Sequence, residues 1–230
     1  MNVVKSTGVL LLIIMTYMLA LISSSKMIYS LIIFLLSILH TITIDKLRSK
    51  VLNNELNIID WFLILLNMIP YIFLFNVFLF IPGAFYIASV IMAYLKVREW
   101  SNVLALTGSA SLYLPWVEIM GVIKFTNIVI FAIWVSYSFT ESLYIEYKLP
   151  YKTISANYVR NVWFPLLLVL IFLSAFQPIL ILSLIEPTIR FFKPGEKLKS
   201  GSEIKKLGRK TGIQYSLVLI ILIFSQLIRF

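Results

Sequence analysis

This 230-residue chain has no cysteine, a single histidine and charged side chains at only 13% of its positions. The lack of cysteine excludes disulfides, thiolate metal centres and cysteine nucleophiles. With His40 alone, the chain cannot form a bis-histidine haem site by itself. No polar stretch is long enough to fold as a separate globular unit, so one domain over residues 1–230 is expected.

Apolar sequence fills the space left by charge. Hydrophobic residues make up 60% of the chain and the mean hydropathy is +0.96, whereas a soluble domain is roughly 45–50% apolar and ~25% charged. The apolar residues form uninterrupted runs and do not alternate as barrel strands would. The expected fold is therefore an all-α, polytopic membrane helical bundle. The formal charge of +10 fits cytoplasmic loops enriched in Lys and Arg, with nucleic acid as the weaker alternative partner.

Gly8–Ser23 is the first apolar run. It has the basic start and apolar core of a signal peptide, but no small-x-small site in it is convincing and a second span follows at once, so it reads as a helix. Further helices are expected over Met27–Ile44 and Ile58–Phe80. After a turn at Ile81-Pro82-Gly83, others end near Leu95, Trp116 and Tyr144, and the last covers Ile213–Ile228. The remaining apolar stretch, Asn161–Ile189, decides the topology. Read as one helix, it divides the basic residues evenly between the two faces. Read as a hairpin turning at Gln177-Pro178, it leaves only Lys26, Lys124 and Arg229 opposite the other 17. The positive-inside rule and the proline both favour the hairpin. About nine transmembrane helices follow, with the amino terminus on the cytoplasmic side of the cell membrane.

In that topology the loops after the second and sixth helices share the cytoplasmic face. Asp45, Glu55 and Asp60 lie in one, Glu141 and Glu146 in or beside the other. Lys46, Arg48, Lys50, Lys148 and Lys152 would then face one another across a cavity mouth, a cluster suited to a diphosphate; the alternative is ordinary charges at helix ends. Glu141 sits inside an apolar run, where an ionisable group is costly and marks a functional site by default, unless a basic neighbour pairs with it. His40, Asn67, Asn76, Asn127 and Gln177 read as polar groups bonding between helices, and Gly108-Ser109-Ala110 as a close-packing surface. Trp61, Trp100 and Trp163 each follow a basic loop, as headgroup anchors do. Arg190–Lys210 carries eight basic residues against Glu196 and Glu203, which suits anionic lipid headgroups. Within it, Ser202–Leu207 reads as a short surface helix stopping near Gly208. No aromatic residue interrupts 197–210 as single-strand nucleic-acid binding would favour.

Nine helices with acidic loops after the second and sixth resemble the UbiA superfamily of intramembrane prenyltransferases. A narrower likeness, to the YwiC-like membrane proteins, lies in VREWSNVLALTGSASLYLP, WVSYSFTESLYIEYKLPYK and SEIKKLGRKTGIQYS, about a third of the chain. The resemblance implies a cytoplasm-facing cavity in which Asp45, Glu141 and Glu146 act with Mg²⁺ on a polyprenyl diphosphate, passing the prenyl group to a lipophilic acceptor. The acidic motifs are diluted relative to the family. Asp45 stands alone at its helix end, and Glu141 and Glu146, five residues apart, lie about 140° apart around a helix. No residue is assigned as a dedicated metal ligand. The alternative is a non-catalytic transporter, channel or membrane-complex subunit.

The segment from Asp45 to Asn53 also looks like the first catalytic segment of the prepilin and preflagellin membrane aspartyl peptidases. Those enzymes need a second aspartate so that one carboxyl acts as acid while the other acts as base. No aspartate follows Asp60, which excludes that chemistry.

Overall fold

The computed structural model of the chain describes residues 7–53 and 55–228, without the side chains of 7–10, 45, 48, 49 and 52. Among the described residues every regular element is helical, apart from one isolated bridge between Ser24 and Gly121. Six runs are long and apolar enough to cross a bilayer, the character of a multi-pass membrane protein. The contacts divide the chain into two compact units, 1–123 and 124–230.

The first unit contains α1 (Thr7–Leu21), α2 (Met27–Asn53), α3 (Ile58–Phe73), α4 (Phe80–Tyr94), α5 (Arg98–Ser111) and α6 (Tyr113–Met120). Its centre is the α5–α6 rod, 83% buried, while the α4 run is 17% buried and turns most of its apolar surface outward. Within α6, Pro115 lacks the N–H that would bond back to Ser111, which accounts for the break at Leu112. Trp116 is fully buried in this core, and its indole N–H donates to the Tyr71 hydroxyl at 3.0 Å. The close-packing surface read at Gly108 meets α4, because a Cβ there would lie 3.2 Å from the Cβ of Phe85.

Two boundaries in this unit differ from expectation. α2 runs nine residues past Ile44, because Lys, Leu and Arg favour helix and no Pro or Gly stops it. The break after α3 falls at Leu74–Asn76, where the Asn76 side chain accepts the N–H of Phe78, and not at Ile81-Pro82-Gly83. Pro82 instead occupies the first turn of α4, where its missing N–H has no intrahelical role.

After α6 the chain passes under the α1–α2 turn, and the N–H groups of Ser25 and Lys26 both donate to the Met120 carbonyl at 2.9 Å. A Cβ on Gly121 would strike the backbone carbonyl oxygen of Ser23. Gly121→Ala should therefore lower the thermal unfolding midpoint in detergent, by an amount equivalent to about 1–3 kcal/mol of overpacking. An unchanged midpoint would mean that the turn moves aside without loss.

The second unit contains α7 (Phe125–Lys148), α8 (Ala156–Ser174), α9 (Leu182–Phe192) and α10 (Gly201–Leu227). The stretch 161–189 does break, at Ala175–Gln177, and resumes as a 3-10 turn over Pro178–Ile181 leading into α9. The arms are antiparallel: Arg160 Nε donates to the Phe192 carbonyl at 3.0 Å, and the Trp163 and Phe191 rings meet at 5.1 Å. They are unequal, because α8 starts at Ala156 under a Ser155 cap and reaches 19 residues, whereas α9 has 11. Trp163, expected at a headgroup boundary, is fully buried, whereas Trp61 is 54% exposed.

α10 begins twelve residues before the expected Ile213. Ser200 and Glu203 form a capping box that starts it at Gly201, and Gly208 lies within the helix instead of ending it. One interior glycine costs about 1 kcal/mol relative to alanine, too little to stop a capped helix of 27 residues.

Candidate functional site

A buried charged cluster lies in the second unit, where α7, α9 and α10 meet. α7 is its central helix, 61% buried, and carries Glu141 with no exposed surface. Arg190, in the last turn of α9 and 7% exposed, forms an ion pair with Glu141. The same guanidinium donates from Nε to Glu186 Oε1 at 3.0 Å and from Nη2 to the Tyr137 hydroxyl at 3.2 Å. Thr211 of α10 donates its hydroxyl to Glu141 Oε1 at 3.1 Å, and Gln214 Nε2 donates to Glu186 Oε1 at 2.5 Å. Aromatic faces enclose the cation, whose Cζ lies 5.0 Å from the Tyr144 ring centre and 4.8 Å from that of Phe191. Two carboxylates from different helices thus share one guanidinium, whose planar fork suits such bridging.

An open cleft of about 530 Å³ reaches this network from the α9–α10 side. Glu186, Arg190 and Tyr144 give it polar lining, and Lys193 and Lys210 line it as well.

The C-terminal end of α7 gathers other residues singled out in the sequence. Glu146 pairs with Lys152 at 3.1 Å. Lys148 Nζ donates to the Glu196 carbonyl at 2.6 Å, Tyr147 donates its hydroxyl to the Gly195 carbonyl, and Lys197 donates to the Lys152 carbonyl. Leu198 N–H closes the set on the Lys148 carbonyl at 2.9 Å. Together they hold the 193–200 connection against α7. Gly195 takes a positive φ of 66° there, a conformation that glycine adopts without strain. Lys148 and Lys152 are therefore engaged by the chain itself.

In the first unit, Lys50 donates to both carboxylate oxygens of Asp60 at 2.7 Å, across the α2–α3 turn. Asn57 and Asp60 also form the capping box of α3. Lys46 is exposed on α2, while the side chains of Asp45 and Arg48 lie outside the described residues. The Asn57 N–H also donates to Asp60 Oδ2 at 2.9 Å, so backbone and ammonium together hold this carboxylate. Asp60→Asn should lower the unfolding midpoint in detergent, because Lys50 loses its counter-charge and the backbone N–H its charged acceptor. An unchanged midpoint would show that the pair adds no stability.

His40 is a bonded scaffold residue, as the sequence reading favoured. Its Nε2 lies 2.7 Å from the Tyr71 hydroxyl and its Nδ1 2.5 Å from Asn67 Oδ1. Asn67 Oδ1 can only accept, so Nδ1 carries the proton and Nε2 accepts from Tyr71. Among the described residues no group of three or more His, Cys, Asp or Glu side chains has the arrangement to hold a metal ion.

Sequence reading singled out Glu141 but missed Arg190, Glu186, Thr211 and Gln214 as its surroundings. By sequence Arg190 belongs to the basic segment 190–210, and Glu186 stands alone inside the apolar stretch 161–189. Their i,i+4 spacing on one short helix was the available signal.

The fold and this network define a helical, multi-pass class of protein with a charged cluster buried in its second unit. No family model, curated protein or solved structure matches the chain. The UbiA and YwiC likeness rests on the sequence alone.

Proposed function

We propose that this chain is a non-catalytic component of the cell membrane, a transporter, channel or complex subunit, with its amino terminus and basic loops on the cytoplasmic side. The observation that supports this reading is the state of the second unit's acids. Glu141 faces Arg190 and Thr211, and Glu146 faces Lys152. A carboxylate that bridges Mg²⁺ to a diphosphate must turn its oxygens to the metal, and here they are turned to donors of the same chain. Lys148 and Lys152, two of the proposed diphosphate ligands, are likewise occupied.

The rival is prenyl transfer from a polyprenyl diphosphate through Asp45, Glu141 and Glu146 with Mg²⁺, as the UbiA likeness implies. Incubating purified protein with labelled polyprenyl diphosphate, Mg²⁺ and membrane lipid extract separates the two readings. No prenylated product is expected. Product that disappears in Asp45→Asn would overturn the non-catalytic reading. The positive arm is solute flux in proteoliposomes or a stable copurifying membrane partner, and absence of both would also overturn it.

A further inference from the structure

The order of residues along α9 and α10 gives the cleft two chemically different ends. Along α9 and its C-cap, Leu182, Ile185, Ile189 and Lys193 follow one another at spacings of three or four, so they form a single stripe, apolar at its start and cationic at its end. On α10 the same wall reads from Lys210 to Leu217, cationic first and apolar seven residues later. The helices are antiparallel: Gln177, just before the turn into α9, donates to the Ser225 carbonyl near the end of α10, and Glu186 meets Gln214 at mid-length. Opposite sequence order on antiparallel helices puts Lys193 beside Lys210 and Leu182 towards Leu217.

Charge and length both narrow the occupant. Among the described residues no carboxylate forms an ion pair with Lys193 or Lys210. The one acid in the cleft, Glu186, lies about two helical turns from Lys193 and is held by Arg190 and Gln214. From Leu182 to Lys193 the stripe covers about 16 Å at 1.5 Å per residue, close to half of a hydrocarbon core ~30 Å thick. The cleft's 530 Å³ falls within the ordinary range for a small-molecule site.

We propose that this cleft is a binding site for one anionic phospholipid, its phosphate between Lys193 and Lys210 and an acyl chain along Leu182, Ile185, Ile189 and Leu217. The site depends on the chain lying in a bilayer and not on whether it catalyses anything. Such a lipid would also cover the polar lining at Glu186 and Arg190.

The test uses the full chain in nanodiscs of neutral phosphatidylcholine, titrated with phosphatidylglycerol, with retained lipid counted by native mass spectrometry. One phosphatidylglycerol per chain is expected, held in preference to phosphatidylcholine. Lys193→Glu with Lys210→Glu should weaken retention by at least about twenty-five-fold, since each surface lysine contributes about fivefold to anionic-lipid binding. Both lysines are exposed, so the fold should survive. Lys205→Glu with Lys206→Glu, exposed elsewhere on α10, should leave retention unchanged. Ile189→Asn should weaken it through the chain, and inorganic phosphate should not displace the lipid. An equal loss in the 205/206 variant would reduce the effect to diffuse attraction. Displacement by phosphate would reassign the site to a free anion. Retention unaffected by Ile189→Asn, or no retained lipid, would also overturn the proposal.

Discussion

Arg190→Leu should destabilise the second unit by about 3–5 kcal/mol, the range for removing one partner of a buried ion pair. The loss comes less from the missing attraction than from what is left behind. Glu141 has no exposed surface, and without the guanidinium its remaining donor among the contacts described is the Thr211 hydroxyl at 3.1 Å. One hydrogen bond to a charged group contributes about 1.5–3 kcal/mol, still short of what a desolvated carboxylate requires. Replacing both residues, Arg190→Leu with Glu141→Leu, should recover most of the loss, because an apolar pair of similar volume carries no desolvation penalty. Glu186 tolerates the exchange better, being 30% exposed and bonded to Gln214. The check is a double-mutant cycle on unfolding midpoints in detergent, where a strong coupling term is expected. If Arg190→Leu alone leaves the midpoint within error, the pair does not hold α7 to α9, and Glu141 must find its counter-charge elsewhere.

That network also marks where sequence reading reached its limit. The helices were legible because long apolar runs can be satisfied in a bilayer only by helix. The hairpin was legible because charge asymmetry and Pro178 pointed the same way. Boundaries were less so, since they depend on single side-chain bonds. The reach of Asn76 to the Phe78 N–H and the Ser200–Glu203 box decided them against the stronger-looking Pro82-Gly83 and Gly208 signals. Glu141 stood out by its apolar neighbours, but its partner is 49 residues away in sequence, on a helix whose position only tertiary packing fixes. Likewise, nothing local shows that Lys148 and Lys152 bind the 193–200 connection, because that requires the loop to fold back along α7. Composition reports which groups are available, and it is silent on which of them the chain uses on itself.

Trp163 offers the sharpest separation of packing from membrane anchoring. A tryptophan at a headgroup boundary keeps one edge wet, and its loss from an exposed site changes stability within about 0.5 kcal/mol. Trp163 instead has no exposed surface. Its ring meets Phe191 nearly perpendicularly, at 5.1 Å and 74°, and its indole N–H donates to the Thr188 hydroxyl at 3.2 Å. Both partners lie on α9, so this one side chain fastens the short arm of the hairpin to the long one. Phe191 in turn stacks beneath Arg190, which links the hairpin contact to the buried ion pair. Trp163→Ala should therefore cost about 3–5 kcal/mol, as for a large aromatic removed from a core. Trp61→Ala, at a site 54% exposed, should cost a small fraction of that. Unfolding midpoints of the two variants, measured side by side in the same detergent, read the difference directly. Equal and small losses would mean that α9 is held without Trp163. A large loss confined to Trp163 would place the fastening of α9 inside the protein and not at the lipid surface, as its burial against Phe191 and Thr188 requires.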